Sequence, residues 1–216
     1  MEPNLDASLK EKAYDALEEM IVTLELPAGA AVSEAVLAKR LGMSRTPVRE
    51  ALQRLSREGL IRVLPRRGLL VTELDVGKQL RMLEVRRVIE RLLAERAAGR
   101  RNTPQASAFR AVAAEFEAAG KAGDEALFTR ADRTFNRLLT EAAHNEFAAE
   151  AASLMQGHSR RFWFVHQRGR SSVKEASGLH SAIAAAIADG DAATAGRASD
   201  RLQDHVEAFT RATLNN

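Results

Sequence analysis

The run Ser44-Arg45-Thr46-Pro47-Val48-Arg49 carries the groups that read a nucleic acid. Guanidinium forks match the O6 and N7 acceptors of guanine, while hydroxyls and helix-start N–H groups grip phosphate. Taken singly, each residue is more often a helix cap or a solvated charge; together, in a basic setting, they are not. Residues 39–68 hold nine Lys and Arg against two Glu, on a chain whose formal net charge is only +3. Such a local block fits a phosphate-facing surface. Further along, Asp132, His180 and His205 are types that move protons or ligate metals. Residues 75–216 nevertheless contain no nucleophile elbow, phosphate loop or His-Glu-x-x-His, so an enzymatic reading has no reaction motif to stand on. There is no cysteine, which excludes disulfides and thiolate chemistry and is compatible with a reducing cytoplasm.

These residues need elements to position them. Leu9, Ala13, Leu17, Met20, Ile21 and Leu24 recur at helical spacing over residues 8–24. Pro27 and Gly29 then break the chain, Ala31-Val32 suits a short strand, and Ser33 suits the cap of a helix running to Leu41. Ser44 or Thr46 opens the next helix with Pro47 in its first turn, and Val48, Ala51, Leu52 and Leu55 point inward. Residues 60–64 and 69–71 read as a β-hairpin whose turn, Pro65-Arg66-Arg67-Gly68, is basic. Helix, helix, helix, hairpin is the order of a winged helix-turn-helix, in which the second helix of the pair enters the major groove by its N-terminus.

After a linker at 72–76, helices are expected over 77–99, 103–121, 124–143, 146–168, 172–189 and 191–213. Thr103-Pro104 reads as a cap and proline start, and Asn145 and Asp191 sit where caps are wanted. The short loops between them imply antiparallel packing of sequential helices into a bundle. The expected fold is therefore mostly α: a winged helix-turn-helix over 1–74 and an all-α, six-helix bundle over 75–216. Glu2 and Asp6, with no apolar core around them, do not read as a secretory signal, and no stretch of about 18 apolar residues is present. The expected location is cytoplasmic.

The stretch from Leu37-Ala38-Lys39-Arg40-Leu41-Gly42-Met43 through Ser44-Arg45-Thr46-Pro47-Val48-Arg49-Glu50-Ala51-Leu52-Gln53-Arg54-Leu55, then Glu58-Gly59-Leu60 and Pro65-Arg66-Arg67-Gly68, closely resembles the GntR family of bacterial transcription regulators. The resemblance implies DNA contacts at Arg45, Thr46 and Arg49, with Ser44 beside them and Gly68 at the wing tip; Arg66 and Arg67, beside that glycine in the basic turn, are themselves suited to a minor groove or phosphate. Some members place a DNA-touching arginine at the start of the preceding helix; Ala35 stands there.

The helical part resembles the FadR branch of that family, with its FCD ligand-sensing domain, through Leu83-Glu84-Val85-Arg86-Arg87-Val88-Ile89-Glu90, Asp132-Arg133-Thr134-Phe135-Asn136, Ala143-His144-Asn145, and His180 through Gly190-Asp191. Many members bind a divalent metal through one Asp and three His, and the metal helps hold a carboxylate effector. Asp132 and His180 match two of those ligands, whereas Asn136 and Leu202 stand where two His are expected, so zinc or a similar ion is disfavoured; His205 lies one turn beyond Leu202. Arg86 matches an inward-facing arginine whose fork suits a carboxylate, with a salt bridge to Glu90 as the plainer role. The implied effector site is Arg86, Asp132, Asn136 and His180. In the run Arg160-Arg161-Phe162-Trp163-Phe164, Trp163 is expected to pack in the core rather than to line a cavity or an interface.

The resulting expectation is a ligand-responsive, homodimeric regulator, a repressor of a catabolic or transport operon, that binds double-stranded DNA at a pseudo-palindromic operator and senses a small organic acid. The alternatives are a helical-bundle enzyme with a DNA-binding head and a regulator whose bundle only dimerises.

Overall fold

The computed structural model describes residues 5–64, 68–166 and 173–215. The chain divides into two compact units. Among the described residues, one holds those up to Asp75 together with Ser153–His166, and the other holds Val76–Ala152 and those from Val173 onward.

In the first unit, α1 (Leu5–Val22) is followed by β1 (Ala31–Val32), α2 (Glu34–Leu41), α3 (Arg45–Arg57), β2 (Ile61–Leu64) and β3 (Gly68–Val71). Positions three and four apart on α1 (Ala13, Leu17, Ile21), on α2 (Leu37) and on α3 (Val48, Ala51, Leu52, Leu55) bury together with Leu60, Ile61 and Val71 to form one core. Pro47 also lies buried in the first turn of α3. The turn between α2 and α3 depends on Gly42, whose φ of 64° ends α2 in the left-handed region. The N–H groups of Gly42 and Met43 then bond back to the carbonyls of Lys39 and Ala38.

The expected hairpin is present, and it is part of a three-stranded antiparallel sheet in the order β1-β3-β2. Ile61 pairs with Val71 and Leu64 with Gly68, while Ala31 on the other edge pairs with Leu70. The expected wing tip at Pro65, Arg66 and Arg67 lies outside the described residues. Gly68 was expected in the turn; it is instead the first residue of β3, at φ 87°, because its pairing with Leu64 extends the ladder by one step.

The second unit is helical: α4 (Val76–Arg100), α5 (Thr103–Ala122), α6 (Glu125–Ala143), the first turns of α7 (Glu146–His166), α8 (Val173–Asp189) and α9 (Ala192–Ala212), ending in a 3-10 turn at Thr213–Asn215. The cap of α5 differs from expectation. Asn102, not Thr103, is the N-cap, and it forms a reciprocal capping box with Gln105 while Pro104 sits in the first turn. Asp191 and Asn145 accept from the backbone N–H groups of Thr194 and Ala148, respectively.

Sequential antiparallel packing is only part of the bundle. Its heaviest pairings join α5 with α8 and α4 with α9, across the chain order. Gly120 permits the first, since a Cβ there would lie 3.0 Å from the Cβ of Ser177. Ion pairs fix the second in antiparallel register, Arg87 with Asp204 at 2.7 Å and Arg91 with Asp200 at 2.5 Å. Phe109, Phe116, Phe128 and Phe135 fill the interior with edge-on and tilted ring contacts.

The end of α7, Ser153–His166, groups by its contacts with the first unit. Gly157 lets Leu60 approach so closely that a Cβ would lie 2.6 Å from its Cδ1. The neighbouring residues bind the same unit: His158 Nε2 lies 2.8 Å from the carbonyl oxygen of Glu58, and Arg160 pairs with the buried Glu18. Arg161 and Phe162 are buried, while Trp163 is half-buried.

Candidate functional site

The first turns of α3 sort by face. Ser44, Arg45, Thr46 and Arg49 are exposed, while Pro47, Val48, Ala51 and Leu52 are in the core. The apolar positions fix the helix, so the polar ones are carried outward as a set. Ser44 is the N-cap in extended conformation, yet its hydroxyl makes no capping bond. The free N–H groups of the first turn add partial positive charge at the same end.

Arg49 is not an isolated charge. Its Nε and Nη2 each donate to a different oxygen of Glu34, on the first turn of α2, at 2.9 Å. This bond, together with the positive charge of Arg45, holds the Glu34 carboxyl below the usual carboxylate range. Sequence reasoning passed over Glu34 while weighing its neighbour Ala35. The available signal was an acid in the first turn of the helix facing the arginines. The basic block is also less uniform than its composition implies. Arg40 pairs with Glu25. Arg54 turns inward, 3.6 Å above the Tyr14 ring, with its Nε 3.0 Å from Glu58. The Tyr14 hydroxyl donates to the other Glu58 oxygen at 2.8 Å. Burial pushes both the Tyr14 hydroxyl and the Glu58 carboxyl upward. Arg54 is thus a structural cation of the head.

In the bundle, the expected effector residues Arg86, Asp132, Asn136 and His180 are all buried. Arg86 Nε donates to Glu90 Oε1 at 2.5 Å, and Gln203 from α9 donates to Glu90 Oε2 at 2.5 Å. Among the described residues, the Nη edge of Arg86 has no hydrogen-bond partner. The side-chain amide of Asn136 donates to the backbone and side-chain oxygens of Asp132 at 2.9 and 3.0 Å. His180 Nδ1 bonds the Ala176 carbonyl at 2.8 Å, which leaves Nε2 3.5 Å from Asp132. Phe116, Phe128 and Phe135 surround the imidazole. Burial pushes its pKa down from 6.5 against the pull of Asp132, so the ring is neutral at neutral pH. Glu90 and Gln203 were not among the expected site residues. Their signal was polar side chains on the apolar face of a helix: Gln79, Arg86 and Glu90 share the buried face of α4 with Leu83 and Leu93.

The donors present do not make the four-ligand metal site of the family. Asp132 and His180 come together, but Asn136 gives its N–H to Asp132, Leu202 is buried hydrocarbon, and His205 lies 3.3 Å from Glu175 instead. Among the described residues no group of three or more His, Asp or Glu is placed to hold a metal ion. An open groove of about 580 Å³ between α4 and α9 is lined by Arg87, Arg91, Asp200 and Asp204 and contains none of the expected effector residues. Its charges are paired across the groove. No helix among the described residues is long and apolar enough to cross a membrane.

A three-helix head with a three-stranded β-sheet, followed in the chain by an all-helical bundle with a buried polar cluster, defines a winged helix-turn-helix protein with a second, helical domain. Family models agree: residues 9–71 match the bacterial regulatory proteins of the gntR family, and residues 81–208 match the FCD domain. The chain belongs to the GntR family and carries an FCD domain. That family is one of transcription regulators rather than enzymes.

A regulator from an unstable DNA locus of Streptomyces ambofaciens is 49% identical over 65 residues, 30% of this chain and 28% of that protein. One from an intergenic region of Agrobacterium vitis is 40% identical over 86 residues, 40% of this chain and 50% of its own length. These matches thus span half or less of the relatives' lengths. A probable D-xylose utilization operon repressor of Paenarthrobacter nicotinovorans is 29% identical, over 88% of this chain and 82% of its own. Among solved structures, Escherichia coli McbR/YncC shares the fold with a TM-score of 0.75 at 19% identity, over 95% of this chain and 98% of that one.

Proposed function

We propose that this protein is a cytoplasmic, DNA-binding transcription regulator whose helical unit senses a small metabolite. The observation that carries the reading is the division of α3, which buries Pro47, Val48, Ala51 and Leu52 and leaves Ser44, Arg45, Thr46 and Arg49 exposed at one end. As a homodimer it would set two copies of α3 about one helical turn apart on a pseudo-palindromic operator. Repression is the favoured output: relatives include the xylose-operon repressor and the repressor RspR of Escherichia coli, the latter 33% identical over 90 residues. The regulated genes would then form a catabolic or transport operon.

Arg86 supports a carboxylate effector, since its Nη edge is open for a bidentate pair while Glu90 holds its Nε. Asp132, Asn136 and His180 supply the remaining polar contacts, without a resident metal. The FCD-type bundle supports placement in the FadR branch.

The reading is tested by fluorescence anisotropy on a duplex that the wild-type protein enriches from a randomised pool. Arg49→Ala should weaken binding by roughly tenfold, as expected for the loss of one bidentate or phosphate contact, while far-UV circular dichroism stays unchanged. Unchanged affinity would remove α3 from the interface.

A further inference from the structure

The Glu34–Arg49 pair is a surface ion pair, with the Arg49 side chain 59% exposed and that of Glu34 27% exposed. Exposed pairs contribute little to stability, so its interest is geometric. A guanidinium has two edges that can make parallel bonds: the side edge, Nε with Nη2, and the end edge, Nη1 with Nη2. Glu34 occupies the side edge with both oxygens. The carboxylate is well placed to stay there: it lies at the N-terminus of α2, where the helix dipole favours negative charge, and Arg45 adds a second cation nearby.

We propose that Glu34 is a specificity-determining residue of the DNA interface, holding Arg49 so that only its end edge is presented to the duplex. Two consequences follow, both resting on the DNA-binding reading above. The end edge can meet guanine O6 and N7 bidentately, so Arg49 arrives oriented for a base rather than searching through its rotamers. The paired carboxylate also cancels a charge that any phosphate would otherwise attract, which lowers affinity for unrelated sequence. Glu34 thereby separates base reading from backbone attraction at the one position where both are available to Arg49.

The experiment compares full-length wild type, Glu34→Gln, Arg49→Ala and the double variant on two duplexes: one enriched by the wild type from a randomised pool, and one of scrambled sequence. Circular dichroism confirms that each variant keeps its helices. Glu34→Gln should bind the scrambled duplex several-fold more tightly, steepen the log–log salt dependence by about 0.9, and lower the ratio of enriched to scrambled affinity by roughly tenfold. In the Arg49→Ala background the same change should leave that ratio unaltered. A Glu34→Gln variant that keeps the wild-type ratio would overturn the inference alone, as would an equal shift in the absence of Arg49. If the wild type enriches and binds no duplex, the DNA-binding reading fails and the inference with it.

Discussion

At the scale of single residues, the head depends on charges that face inward as well as on those that face outward. Buried Tyr14 and Glu58 and half-buried Arg54 form one knot: the ring lies under the guanidinium, and both cation and hydroxyl bond the carboxylate. Tyr14→Phe keeps the ring and removes the donor to a buried carboxylate, which should cost about 1–3 kcal/mol in urea unfolding. The pH response has a definite sign. Burial raises the folded-state pKa of Glu58 above its ordinary value near 4.5. The folded head therefore holds this proton more tightly than the unfolded chain does. The stability it contributes is fully present below the ordinary value and is lost as pH rises through the folded value. Wild type minus Glu58→Gln should thus show a stability difference that moves against the wild type between pH 4 and the folded pKa. A flat difference would contradict the burial argument. The sequence made Arg45, Thr46 and Arg49 legible, because their types and their place at a helix start carry the signal. It did not reveal that Arg54 lies over the Tyr14 ring and pairs with Glu58 or that Glu34 grips Arg49, since the Tyr14 and Glu34 contacts depend on which residues of other helices come within reach.

At the scale of elements, the helix boundaries were legible to within a few residues because punctuation and periodicity agree there. Gly42, Gly59, Gly123 and Gly190 all take positive φ beside helix ends. Gly42 allows a clean test. A Cβ at this position would meet nothing within 4 Å, so Gly42→Ala charges only the left-handed backbone. The expected loss is about 1–2 kcal/mol, read as a lower melting temperature of the head. A stabilised variant would mean that the turn between α2 and α3 relaxes freely. What remained hidden was pairing. That β1 joins the wing hairpin, and that α4 packs on α9 and α5 on α8, are facts of residues distant in sequence. Periodicity within one segment cannot report them. The grouping of Ser153–His166 with the head likewise rests on a missing side chain at Gly157 and on single bonds from His158 and Arg160.

At the scale of the whole molecule, the proposed function requires that occupancy of the bundle alter DNA affinity, which is a coupling between two sites. The buried cluster of Arg86, Glu90 and Gln203, with Asp132, Asn136 and His180 in the same bundle, is where an effector would act. A thermal-shift screen against small mono- and dicarboxylates should find a ligand that raises the melting temperature in a saturable way. Arg86→Gln should abolish that shift while leaving DNA affinity near wild type; a shift that survives the substitution would take Arg86 out of the effector site. Adding zinc should produce no comparable saturable stabilisation, because Asn136 and Leu202 leave the donor set incomplete.

The central claim is that α3 reads DNA, and selection from a randomised duplex pool by the full-length protein, followed by sequencing, tests it most directly. The account predicts enrichment of one motif with inverted symmetry, its half-sites about one helical turn apart, and loss of that enrichment in Arg49→Ala. A pool that emerges unchanged, or one enriched equally well by Arg49→Ala, would contradict it.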